Sequence, residues 1–198
     1  MIARRLLGPA AALMLLGLSA CATVTSAPAG PYAVGGHAVT LGREWSDISV
    51  IMPWRPKNVR LLSIDGPFLN RLYIADGLKS GEFLVKPSAK ERPTPVWKTG
   101  MTPVEQIEFV ADSVAALDYQ RVETANPRPA VAGGASGLRV DVSAKTADGL
   151  DISGVAQVVE TGERLYVILY LAPAEHYFAA QAPEVQRIME SARVSPAG

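Results

Sequence analysis

An α+β fold, in which helices flank a largely antiparallel sheet, is what this sequence predicts, and three observations carry the expectation. Short β-rich runs follow one another across turn dipeptides, without the regular strand-helix-strand alternation of a parallel sheet. Apolar residues recur at strong helical spacing in two segments, one after Thr102 and one after Pro183. Between Leu165 and Leu171 both alternating faces are apolar, as in a central strand covered on each side.

The elements follow in order. His37 to Gly42 and Ser46 to Met52 read as strands across a polar turn, and Asn58 to Ile64 and Leu69 to Ala75 as strands across Asp65-Gly66-Pro67. Pro53 and Pro56 bracket Trp54 and Arg55, which interrupts strand or helix there. Glu82 to Val85 reads as one further short strand. Lys86 to Lys98, with Pro87, Pro93 and Pro95, reads as an exposed loop closing at Val96-Trp97. Thr102 and Glu105 form a capping box with Pro103 at the first helical position, and Val104, Ile107, Val110, Ala111, Val114 and Leu117 mark a helix face to about Asp118.

Tyr119 to Ala125 then reads as strand, and Asn126 to Ala135 as a Pro/Gly loop. A meander follows. Leu138, Val140, Val142 and Ala144 alternate with Arg139, Asp141, Ser143 and Lys145, Asp148-Gly149 signals a hairpin, and Leu150 to Glu160 and Glu163 to Ala172 complete it. Pro173 opens a helical turn through Phe178. The helix from Pro183 places Val185, Ile188, Met189 and Ala192 on one face and turns Glu184, Arg187 and Glu190 outward.

The amino terminus has the three parts of an export signal: Arg4 and Arg5, an apolar stretch from Leu6 to about Gly17, and small residues before a cleavage point. Leu18-Ser19-Ala20-Cys21 resembles the lipobox of bacterial lipoprotein precursors. The resemblance implies that residues 1–20 are a signal peptide and that Cys21, the single cysteine, carries a diacylglycerol and usually a further acyl chain such as palmitate. Each buried methylene contributes about 0.8 kcal/mol, so two or more chains anchor stably where one is marginal. Uncleaved anchor and ordinary secreted protein are the alternatives, the first weakened by Gly8, Pro9 and Gly17. Ala22, which is not an aspartate, implies by the same resemblance delivery to the periplasmic face of the outer membrane. Residues 21–36 then read as the lipidated cysteine and a flexible tether rich in Ala, Thr, Ser, Pro and Gly, and residues 37–198 as a single domain.

Charge and cysteine count narrow the function classes. Without Arg4 and Arg5 the chain holds seventeen basic and nineteen acidic residues, so nothing favours nucleic acid. With Cys21 committed to lipid, no thiol is left for a disulfide, a zinc site or a nucleophile.

Gly149-Leu150, Leu165-Tyr166-Val167-Ile168, Ala172-Pro173 and Ile188-Met189-Glu190-Ser191-Ala192, within residues 137–194, resemble the C-terminal half of Mog1/PsbP-like domains. That family is an αβα sandwich whose members mostly bind partners or have no known activity, and several are bacterial lipoproteins. Ile64-Asp65-Gly66-Pro67 and Met101-Thr102-Pro103-Val104-Glu105 are also similar to uncharacterised proteobacterial lipoproteins. The resemblance supplies no catalytic residue.

Chemistry-bearing motifs are near misses. Gly134-Ala135-Ser136-Gly137 lacks a residue of the nucleophile elbow and precedes a strand where the elbow needs a helix. His37 and His176 are far apart and have no metal-ligand spacing. Glu105, Glu108 and Asp112 share a helix face whose start already favours acids, and Asp65 and Asp76, each before glycine, read as turn residues. No catalytic residue, metal site or cofactor is therefore expected.

Trp54 with Arg55, Lys57 and Arg60, and Trp97 with Lys90, Arg92 and Lys98, join flat apolar area to positive charge, a combination suited to sugars, anionic lipid heads or a protein partner. Trp54, Arg55, Trp97 and Lys98 are the candidate contacts; the alternative is that both tryptophans plug the ends of the core. The expected function is a noncatalytic, lipid-anchored envelope module that binds an envelope protein partner or supports an assembly. An envelope-polymer hydrolase or a small-ligand binder with an apolar pocket between sheet and helix is the alternative.

Overall fold

The computed structural model describes residues 24–52, 55–86 and 93–195. The signal segment, Cys21 and Trp54 lie outside them.

Eight strands form one antiparallel sheet in the order β1-β4-β5-β6-β10-β9-β8-β7. They are β1 (Thr25–Ala27), β4 (Trp45–Asp47), β5 (Val59–Ser63), β6 (Arg71–Leu78), β7 (Gln120–Ala132), β8 (Ala135–Lys145), β9 (Asp151–Thr161) and β10 (Arg164–Pro173). A second antiparallel sheet joins β11 (Arg193–Val194), β3 (His37–Leu41) and β2 (Gly30–Val34). Helix α1 (Pro103–Ala115) covers one face of the large sheet, while α2 (Ala179–Ser191) and the small sheet cover the other.

Two cores result, one on each face, and the pleat of the shared strands divides residues between them. In β10, Leu165, Val167, Leu169 and Leu171 join the α1 core, and Ile168, Tyr170 and Ala172 join the α2 core. The strand with two apolar faces is thus the one with a layer on each side. In β6 the same alternation sends Tyr73 and Ala75 toward α1, and Leu72 and Ile74 toward α2.

Local signals explain most boundaries. Thr102 accepts from the Glu105 backbone N–H through Oγ1 at 3.3 Å, and the Glu105 carboxylate accepts from the Thr102 N–H at 2.7 Å, closing the capping box that starts α1. Hairpin β9–β10 turns through Gly162 and Glu163, both with positive φ, which suits the twist of the flanking strands.

Five expectations are corrected. The tether expected over 21–36 gives way, in its described part, to β1 and β2, because Ala27 and Val34 bury against the α2 core and β1 pairs with β4. Ser46 to Met52 is strand only to Asp47; a 3-10 turn, Ser49–Ile51, then takes the chain toward Pro53. Glu82 to Val85 is a bent loop, tied to Trp97 by backbone bonds Gly81 N–H to Trp97 O and Trp97 N–H to Glu82 O, each 2.8 Å.

The Pro/Gly segment Asn126 to Ala132 is not loop but the continuation of β7. As the edge strand it leaves one side of its backbone unpaired, so Pro127 and Pro129 cost no ladder bond on that side. Register shifts between Gln120 and Glu123 and between Ala125 and Arg128 absorb the misfit, with Arg121 and Asn126 in the left-handed region. Finally, α2 begins at Ala179 rather than Pro183, and Glu184 is buried. Its carboxylate accepts from the Gly42 N–H at 2.6 Å and pairs with Arg187 at 2.8 Å. A side chain at position 42 would collide with that carboxylate, 2.6 Å from an added Cβ.

Candidate functional site

Helix α1 packs chiefly over β7 and β8. The same sheet face at β5 and β6 is left to loops, and there a cavity of about 250 Å³ opens. Alternation along the strands sets its floor: Val59 and Leu61 of β5 lie beside Arg71 and Tyr73 of β6 on one face. Leu84 and Leu117 wall it, and Phe68, 84% exposed, stands at the mouth. The exposure of Phe68 matters because a large apolar side chain in water is informative only where it borders an apolar opening.

Three cations meet this apolar lining, namely Arg55, Arg71 and Lys86, and no Asp or Glu is among the described residues that line it. Arg55 follows the 3-10 turn and straps the irregular segment to the start of β5. Its Nε donates to Ser49 O at 3.0 Å, and its NH1 donates to Pro56 O at 3.0 Å and Val59 O at 2.8 Å. Burial, then the neighbouring Arg60, holds its pKa below the ordinary guanidinium value.

Arg71 opens β6. Its Nε donates to Pro67 O at 2.6 Å, and its charge lies close to the Tyr73 phenol. Burial pushes the Tyr73 phenol above its ordinary value, against the pull of Arg71, so the hydroxyl stays protonated at neutral pH. Between β5 and β6 the turn is rigid: Asn70 Oδ1 accepts from Ser63 Oγ at 2.8 Å and from the Ile64 N–H at 2.9 Å, and Asn70 Nδ2 donates to Asp65 at 2.5 Å. Asp65 is thus the turn residue the sequence implies. Asp76 is not; it lies within β6 and accepts from the Gly36 N–H at 2.7 Å, pinning the β2–β3 hairpin to the large sheet.

Of the candidate contacts, Arg55 lines the cavity, whereas Trp97 is wholly buried in the α1 core and offers no surface. Its Nε1 finds no acceptor among the described residues. Lys98 is exposed at the far end of that loop and does not line the cavity. Arg71, Tyr73 and Phe68 escaped the sequence reading, since β-rich runs around a turn look alike whether or not they floor a cavity. Only the exposed aromatic after Gly66-Pro67 was a usable signal.

His37 is buried rather than available as a base. Its Nδ1 meets Ala75 O at 2.9 Å, and its ring stacks edge-on against Tyr166 at 5.6 Å. Ser136 lies in β8 beyond the Gly133-Gly134 turn, so it has no elbow geometry. Among the described residues no three His, Cys, Asp or Glu side chains group as metal ligands, and no helix is long and apolar enough to cross a membrane.

No protein-family model and no curated protein matches the sequence. Solved structures do. The Ran-binding protein Mog1p of Saccharomyces cerevisiae superposes with a TM-score of 0.52 at 11% identity, over 88% of this chain and 96% of its own. The cyanobacterial PsbP of Synechocystis sp. PCC 6803 superposes with a TM-score of 0.51 at 13% identity, over 92% and 99%. LpqN of Mycobacterium tuberculosis, a protein involved in cell envelope biogenesis, overlaps more loosely, with a TM-score of 0.38 at 13% identity over 87% and 92%. The first two show that the fold is that of Mog1/PsbP-like domains, at identities that speak for fold alone.

Proposed function

We propose that this chain is a lipid-anchored envelope lipoprotein whose folded domain is a noncatalytic binding module, with the β5–β6 cavity as its binding site. The observation that carries the binding reading is the cavity itself: a concave apolar opening with a few polar groups converging on it is the usual form of a small-ligand site. Its described lining holds no carboxylate, and paired carboxylates are what the hydrolase alternative needs. The envelope reading rests on the lipobox resemblance and on Cys21, and a domain carried by its amino-terminal acyl chains would meet lipids and envelope proteins first.

Each half has its own test. Growth with radiolabelled palmitate should label the wild-type protein and leave Cys21→Ala unlabelled; equal labelling of both overturns the anchor. The uncharged dye Nile red should brighten on the full chain, and Leu117→Trp, which fills the cavity from its wall, should abolish the signal. An unchanged signal in that variant places binding elsewhere.

A further inference from the structure

Arg71 carries a charge that no carboxylate among the described residues pairs. It is partly buried beside an apolar cavity. Its near partners among the described residues are uncharged: Pro67 O and the phenols of Tyr73 and Tyr119. A guanidinium has five N–H donors, and among the described residues only Nε is taken at hydrogen-bond distance, by Pro67 O. Arg55 uses Nε and NH1 on three backbone carbonyls, which leaves its NH2 donors. Lys86 adds a third positive charge to the lining.

Desolvating a cation without a counter-ion is unfavourable, and an arrangement of this kind is stable in use when an anion completes it. The rest of the lining, Val59, Leu61, Leu84, Leu117 and the exposed Phe68, cannot solvate an inorganic ion but suits an aliphatic chain. At about 250 Å³ the cavity falls below the roughly 300–1,000 Å³ of sites for drug-sized ligands, room for one chain rather than two. We infer that the cavity binds a single-chain amphiphile bearing an anionic head, a carboxylate or a phosphate monoester, with the chain against β5 and the head on the Arg71 guanidinium. The inference rests on the binding reading above and adds the class of ligand.

The planar fork of Arg71 can meet either head with two parallel bonds, which a single ammonium cannot match. Tyr73, kept protonated by burial, stands close to Arg71 on the cavity floor.

The experiment uses the full chain in native membranes and photoreactive C12 probes, about twelve carbons long to suit one chain, each with a diazirine and ending in carboxylate, phosphate, alcohol or trimethylammonium. Crosslinks are mapped by mass spectrometry to peptides containing Phe68, Leu84 and Leu117. The anionic probes should label these peptides at least about tenfold more than the alcohol and the cation, a difference of about 1.4 kcal/mol. Arg71→Gln should erase that excess while leaving alcohol labelling in place, and Arg71→Lys should restore part of it.

Unlabelled dodecanoate should also displace the carboxylate probe from wild-type protein at far lower concentration than dodecanol, which tests head-group choice even if Arg71→Gln fails to fold. Carboxylate and phosphate arms distinguish a free fatty acid from a phosphorylated lipid head. Equal labelling and equal displacement by anion and alcohol would overturn the anionic assignment while the binding site stands. Absence of cavity labelling by every probe would remove the binding reading itself.

Discussion

His37 shows how one buried ring links pH to stability. Burial lowers its pKa below the ordinary 6.5, opposed in part by its bond to Ala75 and by the Asp76 carboxylate. Above that value both folded and unfolded states are neutral, and the group has no effect. As pH falls through it, the unfolded state binds a proton that the folded state refuses, so stability declines until folded His37 itself titrates. Urea midpoints should therefore drop between about pH 7.5 and about pH 5.5, and the drop should be shallower in His37→Gln. Identical slopes would place the acid sensitivity in other groups. Glu184 gives a second test at this scale. Replacing it with Ala removes a charge-assisted bond to the Gly42 N–H, which water can partly replace because Gly42 is exposed, and should cost about 1 kcal/mol in chemical denaturation. The outward heptad-like position of Glu184 in sequence hides this role, because its partner lies on another element 142 residues away.

Among the elements, the start of α1 was readable, though its buried face runs through Gln106, Phe109, Val110, Ser113 and Val114 and leaves the expected Val104 exposed, and β7 was readable only in part. The capping box is local: Thr102, Pro103 and Glu105 meet within four positions, so their spacing specifies the helix start without tertiary help. Thr102→Ala should cost about 1 kcal/mol, measured as a shift in thermal midpoint, since the Glu105 N–H loses its hydroxyl acceptor while the residue-102 backbone N–H keeps its bond to the Glu105 carboxylate. In β7 the local signals point the other way. Asn126, Pro127 and Pro129 read as loop, and strand results because β8 supplies a ladder along its length while the outer side stays unpaired. The 3-10 turn before Pro53 and the Glu82 to Val85 bend follow the same logic, the first held by Leu61 of β5 and the second by Trp97.

The whole molecule is two cores back to back on one sheet, and its amino-terminal strands belong to the second. β1 extends the large sheet through β4, and β2 extends the small one through β3. Deleting residues 24–34 should expose Leu41 and Trp45, both 1% exposed, and replace a sharp unfolding transition by a broad one at lower temperature. A transition unchanged by the deletion would mean that the segment is a tether after all. The position of the cavity is also a property of this scale: α1 covers the β7–β8 end of the sheet, and the uncovered β5–β6 end is where the opening forms.

What the sequence determined alone was whatever rests on neighbours along the chain: the capping box, the hairpin turns, and a meander whose alternation assigns each residue to a face. Tertiary structure alone decided which polar residues are buried, that Trp97 is core while Arg55 and Arg71 face a common cavity, and that the segment before His37 folds. The reason is physical. Periodicity encodes which side of an element is apolar, but whether a given patch of that side is covered depends on where another helix or loop ends, and no residue carries that information by itself.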